Sequence, residues 1–239
     1  MNVLLTGCSK GLGIEATRVL LENGFSVFGI SRTETIELSE LKSKYQGKLF
    51  NLIYDLEDTN EVKKRIFDEF IGKNTIHAFV NNAAIAYDDI VSNIQIEPLE
   101  KMYRVNVFTP FLITKYVIRN MILKRTAGSI IHLSSVSVHT GYKGLAMYAS
   151  TKGALEGFSK GTSREWGEKG IRSNCLVAGF METDMSNSLS AEQKDRIYKR
   201  TALKVPTSVN SVAEMIHFLV SDKSKSITGQ NIFVDSGTL

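Results

Sequence analysis

Seven short apolar runs, separated by longer amphipathic stretches, constrain this chain's fold more than any other feature. They span residues 2–7, 25–31, 49–55, 76–82, 129–135, 172–178 and 231–235. Most are apolar enough to be buried on both faces, which is the signature of strands in a parallel sheet covered by helices on either side. The stretches between them carry helix-start signals. Asp58 with Glu61, Ser190 with Gln193, and Ser211 with Glu214 each match a capping box or a near variant of one. Strand and helix alternating in this way implies right-handed crossovers, hence a doubly wound parallel sheet with helices on both faces. Ligands of such a sheet bind beyond the carboxyl ends of its strands. A length of 239 residues suits one α/β domain, and no linker, repeat or low-complexity tract divides it. The expectation is a single domain over 1–239, with the polar stretch 182–207 as a mobile substrate lid.

Composition narrows the class. The chain is 43% hydrophobic and 23% charged, ordinary globular usage, so a substantial core is available. The net charge of +4 comes from 29 basic residues interleaved with 25 acids, without the basic stripe of a nucleic-acid binder. No apolar run is long enough to cross a bilayer, and the start lacks the pattern of a signal peptide. A cytoplasmic protein that binds neither nucleic acid nor membrane is expected. Cys8 and Cys175 are far apart and read as free thiols, and the four histidines are scattered, so no metal site is expected.

The first run leads directly into TGCSKGLG, with Gly7, Gly11 and Gly13 followed by a helical pattern. Glycines there let the backbone turn tightly and approach a pyrophosphate, whose charge is favoured at the start of a helix. The strand–loop–helix context is the one dinucleotide binding requires, and it makes the sheet a Rossmann fold. An NAD site carries an acid at the end of the second strand. Here Ser31 and Arg32 stand in that place, with Lys10 already in the loop, although Glu34 follows two residues on. Two cations suit the extra phosphate of NADP(H) over NAD(H).

Taken with TGCSKGLG, the later motifs resemble those of the short-chain dehydrogenase/reductase family along nearly the whole chain. They are YDL with Asp55, VNNAA with Asn81 and Asn82, RVN with Asn106, LSSVS with Ser135, MYASTK with Tyr148 and Lys152, and AGFMETDM after the sixth strand. Three positions depart from the family's usual residues: Ala84 and Ser236 replace glycines, and Ala178 replaces a proline. The resemblance implies a cofactor-binding set of Gly7, Ser9, Lys10, Gly11, Leu12, Gly13, Arg32, Asp55, Leu56, Asn82, Ala83, Tyr148, Lys152, Gly179, Met181 and Thr183. In that set Asp55 contacts the adenine and Thr183 the nicotinamide carboxamide. The implied catalytic set is Asn106, Ser135, Tyr148 and Lys152. Ser135 is preferred to Ser134 because it stands 13 residues before Tyr148, the family's spacing.

The chemistry follows from the residue types. Tyr148 and Lys152 lie four apart, on one face of a helix. An ammonium about 4 Å from a phenol contributes roughly 4 kcal/mol at an effective dielectric near 20, on the order of three pKa units. On that arithmetic Lys152 draws Tyr148 down from its ordinary pKa toward working pH, as a general acid requires. Ser135 is expected to bond the substrate oxygen as charge develops on it. By resemblance, Asn106 holds a water in a relay to Lys152. Gly153, Gly157 and Gly161 form a stripe on the same helix, and soluble relatives pack that helix in homodimers or homotetramers.

Overall similarity is greatest to bacterial 3-oxoacyl-acyl-carrier-protein reductases of fatty-acid biosynthesis. The substrate class implied is a ketone or an acyl thioester, the latter presented by an acidic carrier protein, with Lys124, Arg125 and Lys169 as a receptive basic rim. Another carbonyl substrate, such as a sugar or secondary metabolite, stays open, because KRTALKVPTSVNS lacks the usual PLGR pattern. So does a non-catalytic NADP(H)-binding sensor or scaffold.

Overall fold

The computed structural model describes residues 1–183 and 190–239. All seven runs form strands: β1 (Asn2–Thr6), β2 (Ser26–Ser31), β3 (Leu49–Ile53), β4 (Ala78–Asn81), β5 (Gly128–Ser135), β6 (Ile171–Ala178) and β7 (Asn231–Val234). They make one sheet in the order β3-β2-β1-β4-β5-β6-β7, every neighbouring pair parallel. The order reverses between β1 and β4, where the crossovers change sides and leave a crevice at the carboxyl ends.

Two apolar cores show why both faces of these strands had to be hydrophobic. Successive residues of a strand point to opposite faces, so Val3 and Leu5 enter one core while Leu4, between them, enters the other. The first core holds α1 (Gly11–Glu22), α2 (Ile36–Lys44) and α8 (Val209–Val220). The second holds a wide π-type helix, Val62–Ile71, and α4 (Thr109–Leu123). α6 (Ala146–Trp166) packs on the same side, against β5 and β6. Among the described residues no helix is long and apolar enough to cross a membrane.

The helix starts depart from the sequence signals in instructive ways. Ser190 and Gln193 do form a reciprocal capping box, opening α7 (Ala191–Arg200). α8 starts three residues earlier than expected. Its cap is Ser208, whose Oγ accepts the N–H of Ser211, so Ser211 lies inside the first turn. Asp58 Oδ1 accepts from the N–H groups of Asn60 and Glu61, ahead of the π-type helix.

The expected lid falls partly on 184–189, outside the described residues. Its described remainder is tied to the body: Thr207 N–H donates to Phe180 O (2.8 Å), Ala202 N–H to Gly237 O (2.8 Å) and Leu203 N–H to Ser236 O (3.1 Å). Ser236, the serine where relatives carry glycine, has φ +57°, a left-handed conformation that glycine enters without strain.

Candidate active site

The end of β1 and the start of α1 meet at a contact only glycine permits. A Cβ on Gly13 would lie 1.7 Å from Gly7 O, and one on Gly7 would lie 2.9 Å from Asn82 Nδ2, with Gly7 already at φ +72°. Asn82 secures the loop from the end of β4: its Nδ2 donates to Thr6 O (3.0 Å) and Gly7 O (3.2 Å). Thr6 Oγ1 in turn accepts the N–H groups of Asn82 and Ala83. The glycine loop is therefore fixed before any ligand arrives, and the N-terminal end of α1 borders the cleft, where a helix start favours an anion.

The second strand closes one side of the cleft. Thr35, the N-cap of α2, donates its hydroxyl to Ser9 O (3.0 Å), binding the turn after β2 to the glycine loop. Arg32 and Lys10 are exposed on the cleft wall. Glu34 instead pairs with Lys42 at 3.4 Å.

The groups expected to react lie on β5 and α6. Tyr148 and Lys152 share a face of α6, with Lys152 Nζ 5.6 Å from the centroid of the Tyr148 ring. The ammonium is spent elsewhere than expected: Nζ donates to Leu133 O at 2.8 Å, and Lys152 is only 3% exposed. Burial pulls the Lys152 amine down to about 8. Burial also pushes the Tyr148 phenol above its ordinary value, and the charge of Asp88 adds to that. This corrects the expected downward tuning of Tyr148 by Lys152. In the protein alone, desolvation of the phenolate outweighs an ammonium held at the ring face, so Tyr148 stands as a protonated hydroxyl.

Ser135 ends β5, half-buried, where its Oγ accepts the N–H of Ser137 (3.2 Å) and lies 3.0 Å from Ser137 Oγ. Ser134 borders the cleft, which Ser135 does not, but its hydroxyl is committed to Glu156, to which it donates. Asn106 lies within a π-type turn, Arg104–Phe108, at 1% exposure. Its amide is held on both sides: Oδ1 accepts from Ile85 N–H, and Nδ2 donates to Ile85 O and Thr151 Oγ1.

These elements enclose a cleft of about 870 Å³, within the size range of ligand sites. Its walls include Gly7, Ser9, Lys10, Gly11, Leu12, Gly13, Arg32, Asp55, Leu56, Asn82, Ala83, Tyr148, Lys152, Met181 and Thr183. Asn106 and Ser135 stand behind or beside these walls. Gly179 is not among the lining residues, though Ala178 and Met181 are; a Cβ there would lie 2.3 Å from Thr207 Oγ1 and 2.6 Å from Asp235 Cα, so the close passage of β6, β7 and Thr207 requires glycine. Sequence reasoning missed Tyr54, Ala86, Lys101 and Val105, which also line the cleft. Of these Tyr54 and Val105 carried a signal, standing inside the motifs YDL and RVN. The residues fit a dinucleotide: a glycine cradle for the pyrophosphate, the flanking cations, and a buried amine beside a hydroxyl at the far end.

Comparison with known proteins agrees with this geometry. Residues 7–238 match the family described as enoyl-(acyl carrier protein) reductase. The 3-oxoacyl-(acyl-carrier-protein) reductase FabG of Buchnera aphidicola subsp. Schizaphis graminum is 32% identical over 237 residues, covering 99% of this chain and 96% of that protein. Carbonyl reductase (NADPH) 2 of Sus scrofa is 31% identical over 241 residues, covering 100% and 96%. A gluconate 5-dehydrogenase from Burkholderia cenocepacia J2315, solved with NADP and tartrate, superposes with a TM-score of 0.91 at 29% identity over 99% of this chain and 94% of that one. Sheet order, glycine cradle and likeness over the full length lead to one conclusion: the chain belongs to the short-chain dehydrogenase/reductase family and is an oxidoreductase that works with a nicotinamide cofactor.

Proposed function

We propose that this enzyme interconverts a ketone and a secondary alcohol with NADP(H), with a 3-oxoacyl thioester as the best-supported substrate. The observation that carries the reaction is that Tyr148 and Lys152 line the same cleft as the glycine loop, with Ser135 at the end of β5 beside the lining residues Leu133 and Ser134. When bound, the cofactor supplies or accepts the hydride. Tyr148, held protonated by burial, gives its proton to the carbonyl oxygen during reduction. Ser135 donates a hydrogen bond to that oxygen as its charge grows. Lys152 anchors the helix at Leu133 O and places a cation beside the ring. Asn106 holds the turn over Ile85 that backs α6.

Preference for NADP(H) is supported by Arg32 and Lys10 on the wall and by Glu34 being paired with Lys42. The thioester substrate is supported by the FabG relatives. A sugar or other ketone is the second reading, favoured by the likeness to gluconate 5-dehydrogenase. An acidic carrier remains part of the proposal, but not through Lys124, Arg125 and Lys169. Those three precede β5 and β6, at the amino ends of the strands, whereas the cleft lies at the carboxyl ends. The eight residues of β5 separate them by about 25 Å.

The proposal includes one domain with 182–207 as its lid, a cytoplasmic location and a homodimer or homotetramer. Among the described residues a Cβ on Gly157 or Gly161 would meet nothing within 4 Å, so packing against them does not explain those glycines. Sedimentation as a monomer refutes the oligomer. The deciding experiment is NADPH oxidation with acetoacetyl-CoA, gluconate-type ketones and simple ketones, repeated with NADH and with Tyr148→Phe. Loss of turnover in that variant is expected; undiminished turnover refutes the mechanism.

A further inference from the structure

One turn beyond Lys152, α6 carries a carboxylate that the reaction described above does not use. Glu156 is 8% exposed, and three groups converge on it. Ser134 Oγ donates to Oε1 at 2.5 Å, Asn231 Nδ2 donates to Oε2 at 2.6 Å, and His139 Nε2 lies 3.1 Å from Oε1. The partners come from β5, from β7 and from α5 (Ser137–Thr140). A buried carboxylate is costly unless its oxygens are satisfied, and an apolar side chain of similar volume is often as good for stability. Neighbours such as Leu155 and Cys175 show that this side of α6 packs well without charge. Burial alone therefore does not account for an acid at this position.

The arrangement has a geometric consequence. Lys152 joins α6 to Leu133, and Glu156 joins it to Ser134, so successive turns of the helix hold successive residues of the strand. A single tether leaves the helix free to swing about it, whereas two tethers one turn apart fix both its rotation and its advance along β5. Ser135 is the next residue of that strand, and Tyr148 lies one turn before Lys152. We propose that Glu156 is a positioning residue, which through Ser134 and Asn231 sets the register of α6 against the end of β5 and thereby the distance between Tyr148 and Ser135. This rests on the reading of Tyr148 and Ser135 as the reacting pair.

The test uses the full chain, NADPH and acetoacetyl-CoA (or the best ketone of the panel), with Glu156→Gln, Ser134→Ala, their double variant and Ser134→Thr. Glutamine keeps the shape but presents an N–H₂ to one of the three donors. Each of Glu156→Gln and Ser134→Ala is expected to lower kcat about tenfold while KM for NADPH stays within twofold. The double variant is expected to be no worse than either single one, because they break one tether, and Ser134→Thr, which keeps the hydroxyl, to recover most of kcat. A merely structural role moves none of these selectively. If Glu156→Gln does not fold, Ser134→Ala decides. Wild-type kcat in Ser134→Ala overturns the proposal, as does an equal loss in Ser134→Thr. Tyr148→Phe run in parallel separates the two layers: its full activity overturns the reaction itself, whereas its inactivity beside an unaffected Ser134→Ala overturns the positioning role alone.

Discussion

Replacing Lys152 with methionine should make the protein more stable while ending its activity. Burial lowers this amine from 10.5 to about 8, and at about 1.4 kcal/mol per unit the folded state carries a cost of roughly 3 kcal/mol whenever the amine is charged. Below the folded value both states are protonated, so the cost is present in full. Between the two values the unfolded chain keeps a proton that the folded chain has released, so stability climbs with pH until the cost is gone. Methionine has similar reach and no charge but abandons the bond to Leu133 O, a loss of about 1 kcal/mol. The variant is thus expected to be about 2 kcal/mol more stable near neutrality. Its margin over wild type should shrink by about 2 kcal/mol between ~pH 7.5 and ~pH 9.5. Urea denaturation followed by circular dichroism at those pH values measures both quantities. A difference that does not change with pH, or a variant less stable than wild type at the lower value, refutes the claim that this site holds a charge against its own solvation.

Three further outcomes follow from other parts of the structure. His132, fully buried among Phe79, Phe158 and Asn81, is pulled down from 6.5 to about 3 by burial, with the Lys152 charge adding. The unfolded chain takes up a proton there that the folded chain refuses, so between ~pH 6 and ~pH 4 wild type should lose about 2.5 kcal/mol more stability than His132→Gln; parallel urea titrations with equal slopes would contradict this. Gly13→Ala forces a methyl group to within 1.7 Å of Gly7 O, and isothermal titration should show NADPH affinity reduced by about 100-fold or more, some 3 kcal/mol. Unchanged affinity would mean that the loop does not cradle the pyrophosphate. Ser135→Ala removes the hydrogen bond to the developing oxyanion and is expected to lower kcat about 100- to 1,000-fold, well beyond the effect of Ser134→Ala. The reverse ranking in steady-state assays would move the reacting role to Ser134.

What the sequence made legible is what local chemistry decides. Apolar runs bounded by glycine and polar residues become strands because the second periodicity of Val3, Leu4 and Leu5 has two cores to satisfy. The glycine loop was readable because a backbone that must come within contact of another backbone can use no other residue. Ambiguity entered where two residues offered the same chemistry: Ser208 and Ser211 are both competent caps, and only the docking of α8 on α1 selects the earlier one. The rest depends on distant partners. Glu156 looks like a surface residue between Leu155 and Gly157, and its burial is decided by groups 17, 22 and 75 residues away. Asn106 was recognisable as important, but not that its amide is committed to Ile85, since that needs the π-type turn. The tuning of Tyr148 was misjudged for a related reason: spacing gives proximity along a helix, whereas the Leu133 carbonyl that claims the ammonium belongs to another element.

The bonds from Ala202 and Leu203 to Gly237 and Ser236 give the tail of the chain an influence out of proportion to its place in the sequence. Asp235 draws the turn tight by accepting from the N–H groups of Gly237, Thr238 and Leu239. Residues that carry no catalytic motif thus act as the hinge pin of the 201–207 strap. Fusing a bulky label there would loosen the strap, whereas the same label before Met1 would sit at the amino end of β1, away from the carboxyl ends that border the cleft.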